Sequence, residues 1–359
     1  MKTPAKLTKK HTPATTARGQ PGNFLLLRHD DPRLSWEGAL SLERHPPWTA
    51  PWRLPFASRA LFHSALHMRA AMPCGVRLTF GSDSTFLEGR VVPCAESSPA
   101  DLFCDGRFFG SAALTGQDHF RFDSLPAGRK KLELWLPQFG TFRLRSLALS
   151  PHARVIPLRD RRPRWITYGS SITQCRTAFS PSQTWPALVA QRHGVHLTCL
   201  GFGGQCHLDP MVARLIRDLP ADFISLCVGI NIYGQSSLKP RSFQPALIGF
   251  IKTIRDRHPA IPLAVISPIF SCHRENTPNA AGFTLPAIRQ EIAAAVALLK
   301  AHGDKHLAYF NGLSLLDARA ARLLPDRLHP TGEGYRLMAE KFSAKIGPFL
   351  FGRVRRGIG

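Results

Sequence analysis

The chain has 359 residues, 44% of them apolar and 20% charged, and a formal net charge of +23. That length exceeds one average domain, and the composition is that of a globular protein, not a fibrous or disordered one. No apolar stretch approaches the roughly 20 residues of a membrane-spanning helix; the longest, such as 223–230, are strand-length.

In chain order, residues 1–22 are basic and rich in Thr, Pro and Gly, with no apolar run after Lys9 and Lys10. They read as a disordered, positively charged tail and not as a secretory signal, so a cytoplasmic location is expected. The eight cysteines show no Cys-x-x-Cys pair and no compact disulfide framework, which predicts reduced thiols. Apart from the tail, 159–164 and 353–356, the arginines are scattered. No nucleic-acid-binding signature accompanies them, so no dedicated nucleic-acid partner is expected.

Residues 23–158 read as β. Val76, Leu78 and Phe80 alternate with Arg77 and Thr79, the pattern of a half-buried strand. Leu132, Leu134 and Leu136 repeat it, as do Phe142 and Leu144 against Arg143 and Arg145. Asp105-Gly106 between two apolar runs predicts a type I′ hairpin, whose two central residues need positive φ. The expectation is a jelly-roll-like β-sandwich. Trp36, Trp48 and Trp52 are expected to pack the sandwich and its seam with the C-terminal half, in preference to forming a sugar-stacking surface.

From 164 to 350 short apolar runs alternate with helical periodicity, which predicts a three-layer α/β/α domain on a parallel sheet. Strands are expected at 165–168, 196–200, 223–228, 263–267 and 307–310. Helical faces are set by Leu247, Ile251 and Ile254, by Ile288, Ile292, Val296 and Leu299, and by Tyr335, Met338 and Phe342.

Ligands of such sheets bind beyond the carboxyl ends of the strands. Gly169-Ser170-Ser171-Ile172-Thr173 follows the first expected strand, Gly201-Phe202-Gly203-Gly204 the second and Val228-Gly229-Ile230-Asn231 the third. Asp326-Arg327-Leu328-His329 precedes the last helix. Each segment suits one part of acyl transfer. A serine on a tight turn needs a base, His329 can serve, and Asp326 can fix its tautomer. The N–H groups of Ser171 and Gly204 and the Asn231 amide would serve as oxyanion donors.

The four segments, in this order, resemble the SGNH (GDSL-type) hydrolase family, whose sheet is flavodoxin-like. The resemblance implies Ser171 as nucleophile, Gly204 and Asn231 as oxyanion donors, and Asp326 and His329 as the other triad members. Two positions depart from the family pattern. Ser170 replaces the acidic residue beside the nucleophile, which leaves Ser170 as a second candidate, although the following Ser-Ile-Thr favours Ser171. Ile232 follows Asn231 where Asp is common. A β-sandwich before such a domain is similar to the branch containing two-domain carbohydrate acetylesterases. Tyr-Gly-Ser-Ser-Ile-Thr and Gly-Phe-Gly-Gly more closely resemble the branch containing a salicylyl-transferring polyketide-tailoring enzyme.

The expectation is therefore an esterase acting through an acyl-enzyme on a small-molecule or carbohydrate ester. An acyltransferase using an alcohol acceptor is the alternative, and a carbohydrate- or polyanion-binding protein is the competitor of another class. No cofactor or metal is implied. Arg274, Glu275 and His207 are substrate-binding candidates, and Cys175, Cys206, Cys272 and His273 are expected to line the same rim.

Overall fold

The structure is a computed structural model describing residues 24–352; the tail assigned to 1–22 and the arginines at 353–356 lie outside the described residues. Two six-stranded antiparallel sheets come first. One runs Ser41–His45, Trp48–Trp52, Leu144–Leu149, Leu87–Val91, His119–Phe122, with Leu25–Arg28 also on Leu144–Leu149. The other runs Val155–Ile156, Arg77–Ser82, Lys130–Trp135, Ala100–Cys104, Arg107–Ala112, with Ser35–Glu37 also on Arg77–Ser82. Leu27, Leu87 and Leu147 of the first sheet meet Phe80, Leu102 and Leu134 of the second in one buried cluster, which makes the pair a sandwich. The hairpin between Ala100–Cys104 and Arg107–Ala112 turns at Asp105 and Gly106, with φ of +49° and +77° as the type I′ turn requires.

The alternation at 76–80 is only half informative. Its polar partners Arg77 and Thr79 do not face water: both are buried, as are Asp101 and Glu133 on neighbouring strands. The second half of the chain covers this face. Asp101 accepts hydrogen bonds from Ser180 Oγ (2.5 Å), Ser182 N (3.0 Å) and Ser182 Oγ (2.6 Å). Glu37 lies 2.9 Å from His196 Nε2.

That second half is a five-stranded parallel sheet in the order His196–Gly201, Arg164–Gly169, Phe223–Cys227, Leu263–Ile266, Leu307–Phe310. Helix Trp185–His193 packs with Gly332–Lys345. Pro240–Arg255 packs between Pro210–Asp218 and Leu285–Ala301. All five expected strands are present, and the three helical faces bury the residues that define them. The strand order reverses beside Arg164–Gly169, so the crevice at its carboxyl end is the switch point where ligands bind in such sheets. Trp52, Leu54, Leu66, Phe103 and Trp135 pack into the core of this α/β half although they belong to the first half of the chain. Among the described residues no helix is long and apolar enough to cross a membrane.

Candidate active site

Strand Arg164–Gly169 runs straight into the short helix Ser171–Gln174. The turn is tight enough that a Cβ on Gly169 would sit 2.2 Å from Thr173 Oγ1, so only glycine fits there. Ser170 caps the helix, its buried Oγ accepting from Ile172 N at 3.2 Å. Ser171, one residue on, instead faces a cavity of about 670 Å³ that is also lined by Gly204, Asn231, Asp326 and His329.

Ser171 Oγ lies 2.8 Å from His329 Nε2, and His329 Nδ1 lies 2.5 Å from Asp326 Oδ2. Asp326 is held by its own turn. Its Oδ1 accepts from His329 N (2.6 Å) and Leu328 N (3.0 Å), and Arg327 between them takes a left-handed φ of +64°. Partial burial pushes the Asp326 pKa up. The hydrogen bonds from the His329 ring and the two N–H groups outweigh it and hold the carboxyl below the usual carboxylate range. An ionised Asp326 draws the imidazole proton to Nδ1, leaving Nε2 to accept from the serine hydroxyl.

Ser171, Gly204 and Asn231, which line the same cavity, each carry an N–H group available to it. The Ser171 N–H is in the first turn of its helix, where no intrahelical partner exists. Gly204 adopts φ +72°, a conformation that favours glycine, and its N–H makes no hydrogen bond among the described residues. Asn231 Oδ1 accepts from Cys206 N at 3.0 Å, which leaves the amide N–H₂ as the end free for the cavity. The neighbouring Gly203 N–H is not available, because it donates to Gln174 Oε1 at 2.8 Å.

Several expectations about the rim are corrected. His207 does not line the cavity: its Nε2 lies 3.0 Å from Gly204 O and its Nδ1 2.8 Å from Ser237 Oγ, so it braces the Gly204 peptide from behind. Glu275 is taken up by a bidentate pair with Arg289 (2.7 and 2.8 Å), and Arg274 Nη1 donates to Ser271 Oγ. Neither lines the cavity. Cys175 and Cys206 turn into the core, while Cys272 and His273 are exposed on the short helix Cys272–Asn276, outside the cavity lining, where His273 meets Arg327 of the Asp326–His329 turn. Among the described residues one group has metal-compatible spacing, Glu37, Asp160 and His196. It sits at the seam between the halves beside the buried Arg77, whose charge opposes a cation.

What the sequence did not reveal is that the first half builds one wall. Arg69 and Phe139 line the cavity, and Arg176 stacks on Phe139 at 3.8 Å. Arg53 lies beneath. It is fully buried and donates to Met72 O (2.6 Å), Cys199 O (3.1 Å), Gly201 O (2.7 Å) and Arg69 O (2.5 Å), with Phe202 under its guanidinium. It thus ties the segment before Gly203-Gly204 to the first half of the chain. The signal available was an arginine between Trp52 and Leu54 in an otherwise apolar run.

The GDSL-like lipase/acylhydrolase family profile matches residues 167–337, and that of the SsfX3 N-terminal domain matches residues 34–145. Among solved structures, the salicylyl-acyltransferase SsfX3 from a tetracycline biosynthetic pathway is 34% identical, with a TM-score of 0.84 over 92% of this chain and 98% of that one. A putative GDSL-like lipase from Bacteroides ovatus is 21% identical, with a TM-score of 0.76 over 91% and 98%. A family two carbohydrate esterase from Cellvibrio japonicus is 14% identical, with a TM-score of 0.63 over 91% and 98%; these two show the fold. No curated protein sequence matches at a significant level. The order of the sheets, the serine at the switch point and a full-length relative sharing a third of its residues agree: the chain belongs to the GDSL-like lipase/acylhydrolase family and is an enzyme that acts on acyl esters.

Proposed function

We propose that Ser171 is the acyl-accepting nucleophile, with His329 as general base and acid and Asp326 as its orienting carboxylate. The observation that carries this reading is the continuous chain Ser171 Oγ–His329 Nε2 and His329 Nδ1–Asp326 Oδ2, opening on a cavity with unpaired N–H donors. As the hydroxyl attacks the ester carbonyl, its proton passes to Nε2. The new oxyanion takes hydrogen bonds from Ser171 N–H, Gly204 N–H and the Asn231 amide. Collapse expels the alcohol, protonated by His329, and leaves an acyl-serine. A second nucleophile, activated by the same imidazole, then releases the acyl group.

When water is that nucleophile the reaction is hydrolysis of a small-molecule or carbohydrate ester. An alcohol makes it acyl transfer, and the full-length likeness to an acyltransferase favours keeping this second reading. The test is turnover of short-chain p-nitrophenyl esters by wild type, Ser171→Ala and Ser170→Ala, with and without added alcohols. Ser171→Ala is expected to lower kcat by several orders of magnitude. Ser170→Ala removes a helix cap, a stability effect of about 1 kcal/mol, and keeps most of the rate. The reverse result would move the nucleophile by one residue. Trapping of the acyl group on added alcohol at the expense of free acid would identify a transferase.

A further inference from the structure

The wall that the first half contributes has a chemistry that ester cleavage alone does not require. Arg69, on helix Ser64–Ala70, lines the cavity, and its guanidinium makes no hydrogen bond or ion pair among the described residues. It is beside the nucleophile: a Cβ placed on Gly203 would lie 3.6 Å from both Arg69 Nε and Ser171 Cβ. Arg176 lines the same cavity, with its guanidinium 3.8 Å over the Phe139 ring. Its one carboxylate partner, Glu96, is 3.0 Å away, with both side chains more than half exposed. A pair so exposed is weak and easily exchanged for another anion. Among the described residues Asp326 is the only carboxylate lining the cavity, and it is already engaged by His329 and two N–H groups.

Two guanidinium groups and one aromatic face, with no free counter-charge between them, make a place for a planar anion. We propose that Arg69 and Arg176 form an anion subsite, so that the preferred substrates are esters carrying a carboxylate or phosphate close to the ester bond. The inference rests on the Ser171 reading for the reaction itself. The charge of the whole chain, +23, acts in the same sense at longer range by drawing anionic esters to the cleft.

The experiment compares esters matched in size and different in charge, with spontaneous hydrolysis subtracted. On the acyl side the pair is mono-p-nitrophenyl glutarate against p-nitrophenyl pentanoate. On the alcohol side it is 3-carboxy-p-nitrophenyl acetate against p-nitrophenyl acetate. Wild type is expected to favour the anionic member of at least one pair by about tenfold or more in kcat/KM, the worth of a charge-assisted hydrogen bond. The pair that responds shows on which side of the ester bond the anion sits. Arg69→Gln and Arg176→Gln should each lower that ratio by about tenfold, and Arg241→Gln, on a helix of the other face, should not. A wild-type ratio near one in both pairs would overturn the proposal. So would an equal loss on neutral and anionic esters in Arg69→Gln, which would mean that this residue serves the oxyanion. If no ester at all is turned over, the nucleophile reading fails on its own. Calorimetric titration of glutarate into Ser171→Ala, with and without Arg69→Gln, then decides the subsite without turnover: binding lost with Arg69 supports it, and no binding refutes it.

Discussion

Two arginines of the first half, Arg53 and Arg77, are both fully buried against the α/β half, and they are held in opposite ways. Arg53 meets no carboxylate among the described residues; four backbone carbonyls accept from its guanidinium. None of the three Arg77 side-chain nitrogens donates a hydrogen bond among the described residues. It lies 5.0 Å over the ring of Trp135 and 3.9 Å from Asp160 Oδ2, in the field of Glu37, Glu133 and Asp160. Burial pushes the pKa of both down, against which Arg77 alone has the help of three acids. The lesson is that one seam contains two kinds of coupling. Arg53 joins the halves by directional bonds that fix a backbone, whereas Arg77 acts through charge alone, beside the 2.9 Å contact of Glu37 with His196. Only the first kind can set the position of Gly203-Gly204.

The largest effect should come from breaking the directional part. Arg53→Met removes four charge-assisted hydrogen bonds to carbonyls of both halves, each worth about 1.5–3 kcal/mol. A loss of roughly 3 kcal/mol or more is expected in urea unfolding at neutral pH. Arg53→Lys, which keeps the charge but reaches fewer carbonyls, should fall between. If the arginine positions the Gly203-Gly204 segment, the folded lysine variant loses about tenfold in kcat with little change in KM, because oxyanion donors act on the transition state. A variant that is less stable yet keeps full kcat would reduce Arg53 to a structural tie.

A smaller effect is expected at the charged part. Arg77→Met breaks no hydrogen bond and removes a charge that burial disfavours, while Lys131 and Arg162 remain beside Glu133 and Asp160, so its stability change at pH 7 should stay below that of Arg53→Met. Its signature is in acid. Glu37, Glu133 and Asp160 are all pushed up by burial and pulled further down by their cationic neighbours, so each stays ionised below the usual carboxylate range. Groups of this kind add stability above their unfolded pKa of about 4 and lose it as the pH falls toward their lower folded values. His196 is held down by burial, so the unfolded chain binds its proton first, and stability starts to decline below about pH 6.5. Thermal unfolding followed from pH 7 to pH 3 should therefore show a shallow decline and then a steeper one. The steep limb should be flatter in Arg77→Met, which removes a charge that lowers Glu133 and Glu37. An unchanged limb would mean that Arg162, Lys131 and His196 hold these acids without Arg77.

The same contrast explains what could be read in the sequence. The five parallel strands, the Asp105-Gly106 turn and the three helical faces follow from local periodicity, which is a property of neighbours in the chain. The residues of the four motif blocks were legible for the same reason: each follows a strand or precedes a helix, and such ends share one rim. The orientations of individual side chains were not. Ser170 and Ser171 are adjacent and chemically identical, and only the cap geometry points one into the protein and the other into the cavity. His207 and Glu275 carry suitable groups at suitable strand ends, but Gly204 O and Arg289 claim them.

By itself, then, the sequence determined the two kinds of sheet, the family and the candidate residues of the site, because these depend on patterns only a few residues long. Tertiary structure alone decided that the polar face of Arg77–Ser82 is buried, that Arg53 reaches across 146 and 148 residues to the carbonyls of Cys199 and Gly201, and that Arg69 and Phe139 wall the catalytic cavity. Such contacts join side chains and backbone far apart in the chain, and no periodicity encodes which surface will meet which.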